Sequence, residues 1–151
     1  MNIGELNAKA EFIANRRLYL LKQWRQYSIT LVQGITLSKA KLHHTISCEP
    51  EDALRFYLFN YFAIQIRLTD DFNPYTIEYI FARRDGSNKV LIASAIIDDE
   101  GRIDNVVDIG NREQVLEHYL GLLSPVYDSL YQAIVENKPL SMLLLPYPSV
   151  V

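Results

Sequence analysis

The chain has 151 residues, of which 49% are hydrophobic and 22% charged, a make-up that suits one globular domain and excludes wholesale disorder. Its net charge is −3, and Cys48 is its single cysteine, so no disulfide forms within the chain. No run approaches the roughly 18 apolar residues of a membrane helix, and the start has no basic-then-apolar leader, so the expected compartment is the cytoplasm.

A long helix is expected over residues 4–33. Leu6, Ala10, Ile13, Leu20, Trp24, Tyr27 and Leu31 recur at spacings of three and four, with Arg17 as the one interruption. Such a helix spans roughly 45 Å, more than a domain of this size covers. Arg16, Lys22, Arg25 and Gln26 flank the stripe or lie opposite it. Gly34 reads as a break, followed by a short helix through Leu37, Ala40 and Leu42 to about Ile46, capped by Thr36 or Ser38. Glu49-Pro50-Glu51-Asp52 reads as a turn or a first helical turn.

Residues 53–61 fit either strand or helix, with strand favoured. Phe62, Ile64, Ile66 and Leu68 alternate with polar or small neighbours, as in a half-buried strand. After a turn at Asp70-Asp71-Phe72-Asn73-Pro74, the residues Tyr75, Ile77, Tyr79 and Phe81 form a second alternating face. Asp85-Gly86 is a hairpin signal. Residues 90–97 are apolar on both faces and read as a central strand, and 102–107 as a last one. Asn111 with Gln114 resembles a capping box opening a helical region. Ser124-Pro125 reads as a break into a second helix that ends near Asn137, before Pro139. The expected class is α+β: a long N-terminal helix, an antiparallel meander of three to five strands and a C-terminal helical region. Residues 1–138 are expected to form a single regulatory domain and 139–151 an irregular tail.

Chemistry finds little purchase in this pattern. His44 and Cys48 could share a helix face, but no paired ligand set with zinc spacing accompanies them. Asp70-Asp71 and Asp98-Asp99-Glu100 lack the alternating ligands of a calcium loop and read as solvated hairpin tips. No glycine-rich phosphate loop is present. The expectation is no enzyme activity, no cofactor and no metal.

Charge is informative in another way. Residues 1–45 hold seven basic against two acidic residues, a net of +5, and the remainder nets −8. Either an anionic partner for the basic part or attraction between the two parts, within one chain or across a dimer, accounts for that split. Arg16, Arg17, Trp24, Arg25, Lys39 and Lys41 are the candidate partner-binding residues. The helix overhang, with Trp24 and Tyr27 on its apolar face, points to a homo-oligomer. A helix-turn-helix around Gly34 with Lys39 and Lys41 is a weak match to a DNA reader, and the acidic whole is a poor one.

Four blocks carry a family resemblance. They are Leu31-Val32-Gln33-Gly34-Ile35-Thr36-Leu37-Ser38-Lys39-Ala40-Lys41-Leu42-His43-His44; Phe72-Asn73 with Thr76-Ile77-Glu78-Tyr79; Arg112-Glu113-Gln114-Val115-Leu116-Glu117-His118-Tyr119-Leu120; and Val126-Tyr127-Asp128-Ser129-Leu130-Tyr131. In this order, over about residues 5–137, the chain resembles the formate hydrogenlyase regulatory (HycA) family. The resemblance implies a repressor that opposes a formate-sensing transcriptional activator, with no catalytic motif to carry over. Two routes stay open: an anti-activator that binds the activator protein, or a repressor that competes directly for its DNA sites. A third idea is a formate sensor in which Arg67 clamps the carboxylate.

Overall fold

The computed structural model describes residues 2–47 and 53–139. Helix α1 runs over Ile3–Leu37, and Asn2 caps it by accepting a hydrogen bond from the Glu5 amide at 2.8 Å. Among the described residues seven strands follow: β1 (His44–Ile46), β2 (Ala53–Leu58), β3 (Phe62–Leu68), β4 (Thr76–Arg83), β5 (Val90–Ile96), β6 (Arg102–Ile103) and β7 (Val107–Asp108). Helix α2 spans Arg112–Val135. Strands β1 to β5 form one antiparallel sheet in sequence order, and β6 and β7 form a separate ribbon. The architecture is α+β, as the pattern predicts.

The alternating residues face one way. Phe62, Ile64 and Ile66 of β3 and Ile77, Tyr79 and Phe81 of β4 meet Leu20, Trp24, Tyr27 and Leu31 of α1 and Val115, Tyr119, Leu123 and Val126 of α2 in the buried core. Two buried hydroxyls settle each other inside it: those of Tyr27 and Tyr79 lie 2.6 Å apart.

Several expectations need correction. Gly34 does not end α1, which continues to Leu37. The glycine lies where the helices pack, and a Cβ there would stand 3.4 Å from Arg112 Cγ and Leu116 Cβ. No second short helix follows. Ser38 ends α1, His43 turns the chain at φ 56°, and His44, Thr45 and Ile46 pair with Leu58, Tyr57 and Phe56. A helix of so few residues is marginal alone, and the sheet edge offers its backbone partners instead.

Residues 90–97 are not central. β5 is the last strand of the sheet, and β3, paired with β2 and β4, sits in the middle. β5 buries Ile92 and Ala95 in the core while Ser94 and Ile96 stay exposed, and the ribbon meets the chain just past its end, where Ile97 bridges Ile103 and the Ile96 amide donates to Asp104 Oδ1 at 2.8 Å. The stretch 102–107 is accordingly two short strands around a left-handed turn at Asp104 and Asn105, with no place in the main sheet. Asn111 caps α2 through the Gln114 amide, whereas Gln114 reaches back to the Asp108 amide instead of completing a capping box.

Ser124-Pro125 does not divide α2, which is one helix through Pro125. The carbonyl that proline leaves without a donor belongs to Gly121, an exposed residue, so water can satisfy it. The helix ends at Val135 and is closed beyond Glu136 by Asn137, φ 55°, where the Asn137 and Lys138 amides donate to Ile134 and Ala133 in a Schellman closure. The expected Glu49-Pro50-Glu51-Asp52 turn, Cys48 and the tail from 140 onward lie outside the described residues.

Candidate functional site

The apolar stripe of α1 is one line with two fates. From Leu20 onward it is core. Before Leu20 the same spacing continues through Ile13, Ala10 and Leu6, where only the β3–β4 turn approaches, beside Ile13, and Ile13 and Leu6 are 51% and 54% exposed. This bare arm holds Ile3, Leu6 and Ile13 at the intervals by which an amphipathic helix docks into an apolar groove. Lys9 and Arg16 flank it on one side.

Arg17 explains its own place in the stripe. Its Nη1 donates to the Phe72 carbonyl at 2.7 Å, and its guanidinium lies 4.9 Å from the Phe72 ring centre. It clasps the base of the arm to the β3–β4 turn. Arg16 pairs with Asp99 at 3.1 Å, an exposed contact that contributes little to stability. Phe12, Ile13, Arg16, Arg17, Phe72 and Asn73 enclose a small hollow there.

The other candidates scatter. Trp24 is 7% exposed and belongs to the core. Arg25 is exposed and shares a cleft with Arg17 and Arg67 between α1 and the sheet. Arg67 is paired across the strands with Glu78 at 3.1 Å, so its charge is already answered. Lys39 and Lys41 are exposed on the non-helical link after α1, roughly 20 Å of helix beyond Arg25. The arm's apolar residues and Phe72 were not among the candidates, although the stripe itself was the signal for them.

The acidic turns are spent on their own backbone. Asp71 Oδ1 accepts from the Asn73 amide, Asp85 Oδ1 from the Ser87 amide, and Asp98 Oδ1 from the amides of Glu100 and Arg102. Among the described residues no three His, Cys, Asp or Glu side chains gather as metal ligands. His44 is held in an aromatic box, its Nε2 2.9 Å from the Tyr119 hydroxyl and its Nδ1 3.2 Å from that of Tyr127. Both ring nitrogens are occupied, which leaves no lone pair turned outward for a metal. Desolvation lowers the His44 pKa from its ordinary value, against a smaller upward pull from the Leu42 carbonyl, and burial pushes the Tyr127 hydroxyl up to about 12. No helix among the described residues is long and apolar enough to cross a membrane.

Against known proteins, residues 1–146 match a family described as a transcriptional repressor of the hyc and hyp operons. The chain is 51% identical over 142 residues to the formate hydrogenlyase regulatory protein HycA of Escherichia coli K12, covering 94% of this chain and 93% of that one. The proteins of the same name from Escherichia coli O157:H7 and Shigella flexneri match equally well. No solved structure matches.

Proposed function

This chain belongs to the HycA repressor family, whose description is transcriptional repression of the hyc and hyp operons, and from that premise we propose that it is an anti-activator that lowers formate hydrogenlyase expression by binding the formate-sensing activator protein. The observation that carries the reading is the bare half of α1. An apolar stripe that leaves its own domain with Leu6 and Ile13 about half exposed is a ligand helix awaiting a groove. Lys9 beside it, Arg16 at its base in an exposed pair with Asp99, and Arg25 farther along α1 suit a groove with an acidic rim, where charge speeds encounter more than it adds affinity. Arg17 holds the arm at its angle, and Trp24 anchors the helix from within. Nothing in this reading asks for catalysis.

The alternative is direct competition for operator DNA. A DNA-reading helix is short and backed by its domain, whereas Lys39 and Lys41 lie on a link that is not helical. The protein-binding reading is therefore preferred.

Repression of a reporter driven by the activator tests it. Leu6→Asp with Ile13→Asp should abolish repression, and Arg16→Glu with Arg25→Glu should weaken it, with circular dichroism unchanged in both. If the purified protein alone shifts operator DNA specifically at physiological salt, and the arginine reversal removes that shift, the DNA reading replaces this one.

A further inference from the structure

The end of the sheet farthest from the arm carries a second bare apolar surface. The β2–β3 hairpin turns at Phe59 and Asn60, both left-handed at φ 53° and 55°, with the Tyr61 amide donating to Leu58 at 3.2 Å. That conformation is costly for a bulky side chain and persists where its surroundings hold it. Here it presents the Phe59 ring edge-on to Tyr127, with centres 5.9 Å apart, and stacked on His43 at 5.4 Å. Phe59, Tyr61, Tyr127, Leu130, Tyr131 and Ile134 wall a groove of about 710 Å³. Four of them stand well into solvent: Phe59 45%, Tyr61 53%, Tyr131 71% and Ile134 61% exposed.

We propose that this groove is where two copies of the chain meet. Charge decides between occupants. Asp128 is the one charged side chain among the described residues lining it. In a two-fold interface each patch meets itself, so a patch dense in charge repels its copy, whereas this one brings only Asp128 toward its twin. The arm carries Lys9, Arg16 and Arg17 against Glu5 and Glu11, so charge is spread along it, whereas the aromatic groove is nearly free of it and is suited to its own twin. Tyrosines add rigid contact area at low entropic cost.

Area sets the strength. At about 200 Å² for a large side chain, the four exposed residues offer roughly 400 to 500 Å². A standard stable interface takes about 800 Å² from each partner, so this patch falls in the small class typical of transient contacts, and a concentration-dependent dimer is expected. Strand β3 runs from the groove at Phe62 to the base of the arm beyond Leu68, roughly 20 Å away. Two copies joined at the groove therefore carry their arms outward at opposite ends, and such a pair can engage two sites of one assembly with the gain that linkage brings. This inference does not rest on what the arm binds.

Sedimentation velocity of the full-length protein from about 1 to about 100 µM, which spans the micromolar affinities of weak complexes, tests it. The mass should rise from one chain to two. Tyr131→Asp and Ile134→Asp, both at exposed positions, should hold the protein monomeric, and Leu6→Asp should leave the dimer intact. The proposal is overturned if the protein stays monomeric throughout; association only of a chain ended at Pro139 would then assign the groove to residues 140–151. It is equally overturned if the dimer survives both groove substitutions, or is lost with Leu6→Asp, which would move the interface to the arm. The reporter measures the arm variant separately.

Discussion

His44 shows what a single side chain contributes when its surroundings are read closely. Its ring is packed among Phe56, Tyr119 and Tyr127, and desolvation lowers its pKa from the ordinary 6.5. The unfolded chain therefore binds a proton in a range where the folded one does not. Stability from this group is fully present above about pH 6.5 and is lost as pH falls through that value toward the folded pKa. The tyrosines facing it have raised pKa values and stay neutral throughout. The thermal midpoint should fall between about pH 7.5 and about pH 5.5, an interval that brackets the ordinary imidazole pKa, and His44→Gln should flatten that fall; an unchanged slope in the variant would assign it elsewhere. Sequence proximity suggested pairing His44 with Cys48, but the ring's partners come from α2, some 75 and 83 positions away. Contacts of that separation leave no trace in local spacing.

Gly34 marks the scale of the element. As an isolated signal a glycine costs a helix up to about 1 kcal/mol and reads as a stop. Packing overrides it, because the missing side chain lets α2 approach at Arg112 and Leu116. Its backbone is ordinary helix, and a methyl group just fits at 3.4 Å. Gly34→Ala should raise stability in urea unfolding by up to about 1 kcal/mol, and Gly34→Leu should lower it by about 1 to 3 kcal/mol through overpacking. A destabilised alanine variant would show that contact to be already too tight. Pro125 follows the same logic, since the exposed Gly121 carbonyl makes the proline tolerable. The strands β3 and β4 were legible because the large apolar residues of the core face recur at period two, although Ala63, Ile80 and Ala82 on the opposite face are buried as well. β5 misled because apolar residues on its second face, such as Ile96, stand exposed at the sheet's edge, and period two alone does not separate that from burial.

At the scale of the whole molecule, the first core residue of α1 is Leu20, and nothing described before it is buried. A chain starting at residue 16 should therefore keep its thermal midpoint within about 2 °C, as surface changes do, yet lose repression in the reporter. A large loss of stability would mean the arm packs against its own domain. The stripe was readable from spacing alone, and so was the overhang. Which half is bare was not, because that depends on where the sheet ends. The aromatic groove was hidden altogether, being assembled from a hairpin tip and the last turns of α2, distant in sequence. Only the abundance of tyrosine hinted that some ring faces would stay half in water.

The continuity of α1 has a kinetic consequence. A peptide of the arm's length in water, close to the limit of about 12 to 15 residues, holds a helix only weakly, because its first turn must fix several residues for one hydrogen bond. Attached to Leu20 and the turns beyond, the arm never faces that step. It can unwind from its tip and rewind at nanoseconds per residue, always growing from a nucleus that the core keeps formed. Recognition then starts from a segment that can yield to the contour it meets and recover its shape without searching for it.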